Sequence, residues 1–160
     1  MNILVTTGTG AEYQFERLLN IIDELCEEKV INSQQLVVQS TDRYKAKNYE
    51  IKDMMPQNEF DEIMKKADLI ITHAGTGTVT KALKYSKKVI MFPRRAMYNE
   101  HMDDHQLDLC ELFCNLNYAI LATDKNELTE AIKTIDNFVP ERFVSQNIKI
   151  NQIVKDFIEK

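Results

Sequence analysis

Short continuous apolar runs alternate along the chain with segments whose apolar residues recur every three or four positions. Ile3-Leu4-Val5-Thr6-Thr7 stops at Gly8-Thr9-Gly10 and reads as a buried strand entering a loop. Phe15, Leu18, Leu19, Ile22, Leu25 and Cys26 follow at helical spacing. Leu36-Val37-Val38 reads as a second strand, and a short one is expected near Tyr49-Glu50-Ile51 within the polar stretch 42–53. Asn58 is placed to cap a helix over 59–66 that turns Phe60, Ile63 and Met64 inward. Asp68-Leu69-Ile70-Ile71-Thr72 is another apolar strand; it opens into His73-Ala74-Gly75-Thr76-Gly77-Thr78, after which 79–85 reads as helix. A strand over 89–92 stopped by Pro93, a helix over 103–114, a strand over 118–121 and a helix over 125–135 complete the alternation. Ile150, Ile153, Val154, Phe157 and Ile158 predict an amphipathic helix over about 146–160.

Strands that are apolar throughout, separated by helices, predict an α/β fold: a Rossmann-like parallel sheet with helices on both faces. At 160 residues, without repeats or Pro/Gly/Ser-rich linkers, the chain reads as a single domain over 1–160. Ligands of such sheets bind beyond the carboxyl ends of the strands, which directs attention to loops 7–10, 73–78 and 93–106.

Composition narrows the classes. A net charge of -5 with no basic tail argues against a general nucleic-acid binder. The N-terminus enters strand-like sequence without a basic, then apolar, leader, and no apolar run reaches the ~18 residues of a membrane span. Cys26, Cys110 and Cys114 are odd in number and form no C-x-x-C, so free thiols in a reducing cytoplasm are expected.

In loop 73–78 a buried strand ends, two glycines follow and a helix begins. Free N–H groups, a positive dipole end and the hydroxyls of Thr76 and Thr78 suit a phosphate or pyrophosphate; a tight turn with an N-cap is the plain alternative. The sequence has no G-K-[ST], and after Gly8-Thr9-Gly10 the third glycine position of a dinucleotide fingerprint holds Tyr13. Loop 93–106 gathers Arg94, Arg95, Glu100, His101, Asp103, Asp104, His105 and Gln106. Its arginines suit phosphate, acidic lipid heads or plain surface charge, its acids and histidines suggest helix capping rather than a metal, and Ala96-Met97-Tyr98 is a candidate partner or membrane contact. His73 is a candidate general base, or a histidine hydrogen-bonded at a strand end.

Three pieces in order resemble the C-terminal domain of glycosyltransferase family 28. These are Val5-Thr6-Thr7-Gly8-Thr9 with Phe15-Glu16-Arg17-Leu18, then Thr72-His73-Ala74-Gly75-Thr76-Gly77-Thr78, then Pro93-Arg94 with Glu100-His101 and Asp103-Asp104-His105-Gln106. Within the family the chain is similar to short exopolysaccharide and capsule glycosyltransferase subunits, to the catalytic subunit of the two-part dolichol-linked N-acetylglucosaminyltransferase, and to the second half of the peptidoglycan glycosyltransferase MurG. The resemblance implies the donor half of a GT-B enzyme. That half would bind a UDP-sugar without metal or cofactor and carry out inverting transfer to a lipid-linked sugar. A membrane-anchored partner subunit would hold the acceptor and recruit the cytoplasmic chain to the inner face of the membrane.

By that resemblance Gly8 and Thr9 line the diphosphate, Gly75, Thr76, Gly77 and Thr78 hold it at a helix N-terminus, and Arg94, Glu100, His101, Asp104, His105 and Gln106 lie toward the donor. The catalytic base comes from the partner or from His73. Capsule relatives imply β-1,4-galactosyl transfer to a lipid-linked glucose. The family's pattern has a ribose-binding glutamate after the donor loop; here that position is Lys81. A lysine donates hydrogen bonds but accepts none, which opens a second reading: a non-catalytic accessory subunit that enhances a partner glycosyltransferase.

Overall fold

The computed structural model describes residues 1–10, 12–144, 152, 154–156 and 159. Six parallel strands form one sheet: β1 (Ile3–Thr6), β2 (Leu36–Gln39), β3 (Ile51–Lys52), β4 (Leu69–Thr72), β5 (Lys88–Met91) and β6 (Ile120–Leu121). Their spatial order is β3-β2-β1-β4-β5-β6. The chain therefore runs outward from the centre in one direction and returns to run outward in the other. The reversal lies between β1 and β4, where Thr6 stands in register with Thr72. A crevice opens beyond the carboxyl ends of the strands at such a reversal.

The helices α1 (Glu16–Glu27), α2 (Gln57–Lys66), α3 (Thr76–Lys84), α4 (His105–Asn115) and α5 (Lys125–Thr134) cover both faces. Side chains alternate across a strand. Ile3 and Val5 pack with α1 and α5 through Leu18, Leu19, Ile22, Leu25, Leu128 and Ile132. Leu4 and Ile70 pack on the other face with Met64 of α2, Val79, Ala82 and Leu83 of α3, and Leu109, Cys110 and Phe113 of α4. Each fully buried aliphatic side chain contributes about 1.5–3 kcal/mol through removal from water, enough to hold the strand ends and the loops they carry in place.

The boundaries that differ from expectation have local causes. Helix α2 starts at Gln57, two residues early, because Pro56 takes the N-cap position at φ -54, so Asn58 lies inside the first turn and caps nothing. Helix α3 starts at Thr76 rather than at 79, with Gly75 as its N-cap. Gly77 reads locally as a helix breaker, but in a first turn it disrupts little. Helix α4 starts two residues late, at His105, because Asp103 is occupied in taking the His105 N–H at 3.0 Å. The amphipathic helix expected over 146–160 lies largely outside the described residues; of it, Val154 packs against the core beneath α2, α3 and α4.

Candidate functional site

Loops from β1 and β4 meet at the sheet reversal. After β1 the chain turns through Gly8 at φ 80, a left-handed conformation that glycine adopts without strain. The loop is tied down on both sides. Thr6 Oγ1 donates to Gln39 Oε1 at 2.6 Å; the Thr7 and Ser40 hydroxyls lie 2.6 Å apart, and Ser40 Oγ donates onward to Asp42 Oδ2 at 2.7 Å. Asp42 in turn accepts the Phe15 N–H at 2.9 Å, joining the loop to the start of α1.

His73 sits against both glycine-bearing loops. A methyl group on Gly8 would come within 2.4 Å of its Cε1, and one on Gly75 within 2.6 Å of its Nε2. Both positions exclude any side chain while the imidazole is there. Burial, reinforced by the charge of Arg94, pushes the His73 pKa down to about 4, against the smaller opposing pull of the Thr6 backbone. The ring is neutral at physiological pH.

Beyond His73 the first turn of α3 presents the backbone N–H groups of Thr76, Gly77 and Thr78. Residues this early in a helix have no intrahelical acceptor, and Gly75 offers no capping side chain. They point the positive end of a nine-residue helix toward the Gly8–Thr9 loop. Two cavities flank this junction. One, of about 140 Å³, is lined by Thr6, Gly8, Thr9, Gln39, Met54, Met55, Gln57, Phe60 and Thr78. It combines an apolar thioether and aromatic wall with amide and hydroxyl groups. The other, of about 240 Å³, is lined by Thr7, Gly10, Tyr13, His73, Arg94, His101, Met102 and Gln106, among others. Strand alternation separates them, with Thr6 facing one and Thr7 the other.

Loop 93–106 closes the second cavity and is held by buried charge. Arg94 is only 4% exposed; its guanidinium donates to the Tyr13 and Thr7 carbonyls, each at 2.8 Å, and lies over the Phe15 ring. It retains its charge inside the protein, although burial lowers its pKa. Glu100 is 3% exposed, and both its oxygens are occupied: Arg17 donates to them at 2.8 and 2.9 Å, and the Arg95 N–H donates at 3.0 Å. The remaining guanidinium bonds of Arg17 go to the carbonyls of Thr123 and Pro93. Arg94 and Glu100, expected to face the donor, are thus struts of the loop, although both border the second cavity.

The rest of the loop divides similarly. Asp104 accepts the Ala96 N–H at 2.9 Å and Arg95 Nε at 3.1 Å; these two donors, the backbone one foremost, hold its carboxyl below the usual range. Gln106 Oε1 accepts the Arg94 N–H at 3.0 Å, fixing the amide at the mouth of the second cavity. His101 lines that cavity, with Nδ1 3.2 Å from Asp103 Oδ1, while His105 is more exposed and lies 3.6 Å from the other Asp103 oxygen. Of the sequence candidates, the structure brings Gly8, Thr9 and Thr78 to one cavity and His73, Arg94, Glu100, His101 and Gln106 to the other, with Gly75, Thr76 and Gly77 at the junction. Asp104 and His105 line neither cavity.

Arg17, Gln39, Asp42 and Phe60 were not singled out from the sequence as site residues. For Arg17 the available signal was its place in the Phe15-Glu16-Arg17-Leu18 stretch that carries the family resemblance. Cys110 and Cys114 share a face of α4, and burial pushes the first thiol well above its ordinary range and the second up to about 12. Both are inert thiols rather than nucleophiles. Among the described residues no helix is long and apolar enough to cross a membrane.

Comparison with known proteins agrees with this architecture. The UDP-N-acetylglucosamine transferase subunit ALG13 of Candida albicans is 32% identical over 111 residues, which cover 69% of this chain and 35% of that protein. The chain spans roughly a third to a half of the length of the curated relatives it matches. The solution structure of an ALG13 superposes with a TM-score of 0.66 at 19% identity, covering 99% of this chain and 97% of the other. The crystal structure of MurG from Acinetobacter baumannii gives a TM-score of 0.53 at 18% identity, over 85% of this chain and 40% of MurG. Residues 2–160 match the glycosyltransferase family 28 C-terminal domain, and the chain belongs to that family.

Proposed function

We propose that this chain is the donor-binding subunit of a two-component UDP-sugar glycosyltransferase. The observation that carries the reading is the meeting of two differently built cavities at one helix N-terminus. The cavity walled by Met54, Met55 and Phe60 suits a nucleobase and its ribose. The amides of Thr76, Gly77 and Thr78, with Gly8 and Thr9 opposite, suit the diphosphate. The larger cavity beside His73, His101 and Gln106 suits the sugar.

In the reaction an acceptor hydroxyl oxygen forms the new bond to the anomeric carbon as the bond from that carbon to the UDP oxygen breaks. The hydroxyl proton passes to a base, and UDP leaves with the electron pair, inverting the anomeric centre. Fixed N–H groups and the α3 dipole stabilise the charge growing on the diphosphate. We assign the base to the acceptor-holding partner. His73, neutral and pressed between two loops, has too low a pKa to serve efficiently at neutral pH; its imidazole orients those loops and offers a hydrogen bond toward the phosphates.

The acceptor is assigned to a lipid-linked sugar held by a membrane-anchored subunit, which would keep this chain at the cytoplasmic face. The relatives' names make UDP-N-acetylglucosamine the first donor to test. Galactosyl transfer in capsule or exopolysaccharide synthesis draws no support from those relatives and stands as the second donor arm. Calorimetric titration with UDP, ADP, UDP-N-acetylglucosamine and UDP-galactose tests the reading, with UDP-selective binding as the expected result. Equal affinity for ADP and UDP would overturn it. Lys81 favours the accessory-subunit reading, which predicts that UDP binds no better than ADP even with a partner present.

A further inference from the structure

Helices α2 and α3 lie side by side on one face of the sheet, joined through Met64, Val79, Ala82 and Leu83. Both reach the smaller cavity from their first turns, α2 through Gln57 and Phe60 and α3 through Thr78. One turn further along, Asp61 follows Gln57 by four positions and Lys81 follows Thr78 by three, so each lies on the same side of its helix. There they meet, with Lys81 Nζ 2.9 Å from Asp61 Oδ1. Gln57 Nε2 donates to that same oxygen at 2.7 Å. Two donors converge on Oδ1, and Oδ2 has no hydrogen-bond partner among the described residues. The carboxylate is thereby oriented and kept ionised; the Lys81 bond is the main cause of its lowered pKa, with Gln57 second.

A nucleotide whose base lies against Phe60 and whose diphosphate lies at the α3 N-terminus has its ribose between them, along this α2–α3 seam. Ribose hydroxyls are donors that need an acceptor, which lysine cannot supply and an oriented carboxylate can. We propose that Asp61 is the ribose-recognising residue of this chain, accepting a hydroxyl through Oδ2, with Lys81 and Gln57 as its positioning residues. A carboxylate delivered from α2 does the work for which α3 offers only an ammonium. The same two helices still hold the group, but it arrives from the opposite side of the seam. The inference rests on the nucleotide reading above, and it removes the argument from Lys81 against donor binding.

The test is calorimetry of the full chain with UDP, 2′-deoxy-UDP and 3′-deoxy-UDP, for the wild type, Asp61→Asn and the exchanged pair Asp61→Lys with Lys81→Glu. Circular dichroism confirms folding of each variant. A hydroxyl bonded to a charged acceptor is worth about ten- to a hundredfold in affinity. The wild type is therefore expected to bind UDP at least about tenfold more tightly than one of the deoxy nucleotides. In Asp61→Asn the preference falls toward unity through loss of UDP affinity, while affinity for that deoxy nucleotide is unchanged. The exchanged pair restores the preference by returning a carboxylate to α3. A merely structural ion pair would weaken all three nucleotides alike and leave the ratio untouched. UDP binding with an unaltered ratio in Asp61→Asn overturns this inference alone; failure of the wild type to bind any of the three overturns the nucleotide reading as well.

Discussion

Substituting Gly75 by alanine isolates the contact on which the site geometry depends. The backbone there has φ -68 and ψ 108, values that alanine adopts freely, so the substitution carries no conformational penalty. Restricting the unfolded chain would favour it by about 0.4–1 kcal/mol. Against this, the new methyl would lie 2.6 Å from His73 Nε2 and 2.7 Å from Cε1. The ring or the loop must yield by about 0.4 Å or more, and the ring edge is already held by the backbone of Gly8. Overpacking of this kind costs about 1–3 kcal/mol. Gly75→Ala is thus expected to destabilise the wild type, and to be neutral or mildly stabilising in a His73→Ala background. The coupling between the two changes comes out at about 1–3 kcal/mol. Urea denaturation of the four proteins measures it. Equal effects of Gly75→Ala in both backgrounds, within about 0.5 kcal/mol, would refute the wedge.

Other consequences follow from the same side chains. Removing Glu100 as alanine leaves the guanidinium of Arg17 with carbonyl partners only; the expected loss is about 2–4 kcal/mol of stability by urea titration, at the lower end because Arg17 is partly exposed. Because the folded-state pKa of His73 is depressed to about 4 and its unfolded value is near 6.5, the unfolded chain takes up a proton that the native state refuses between those limits. The stability this residue supports is fully present above about pH 6.5 and is lost as pH falls toward 4, by up to about 1.4 kcal/mol per pH unit. A His73→Asn protein should show a flatter profile across that window, and an unchanged slope would count against the burial of the ring. Replacing Thr78 by valine removes one hydroxyl at the helix N-terminus and should weaken UDP about two- to tenfold without changing the urea midpoint.

Sequence pattern revealed the layers of this fold more fully than its site. Strands β1 and β4 are legible because Leu4, Val5, Ile70 and Ile71 are all buried, which demands apolar residues on both sides of the strand. The reversal between them is not legible, since pairing of β1 with β4 depends on contacts some 66 positions apart, as the bond from the Asn2 N–H to Asp68 illustrates. Loop 73–78 was readable as strand, glycines and helix, although Gly77 obscured the true helix start. The resemblance places Arg94 and Glu100 toward the donor, and nothing in the loop's own sequence shows that both are buried. Glu100 is buried against Arg17, 83 positions away, and Arg94 against the Tyr13 and Thr7 carbonyls, 81 and 87 positions away, and no local pattern carries that information. The Lys81–Asp61 pair is legible only once α2 and α3 are known to lie side by side.

UDP is proposed to bind where the β1 and β4 loops converge on α3. The most direct measurement is the change in backbone amide NMR shifts of the full chain on titration with UDP, with ADP as the control. Saturable, UDP-selective shifts are expected, largest at Gly8, Thr9, Thr76, Gly77 and Thr78 and extending to Met54 and Phe60. Shifts of equal size with ADP, or shifts centred away from the α3 N-terminus, would contradict it.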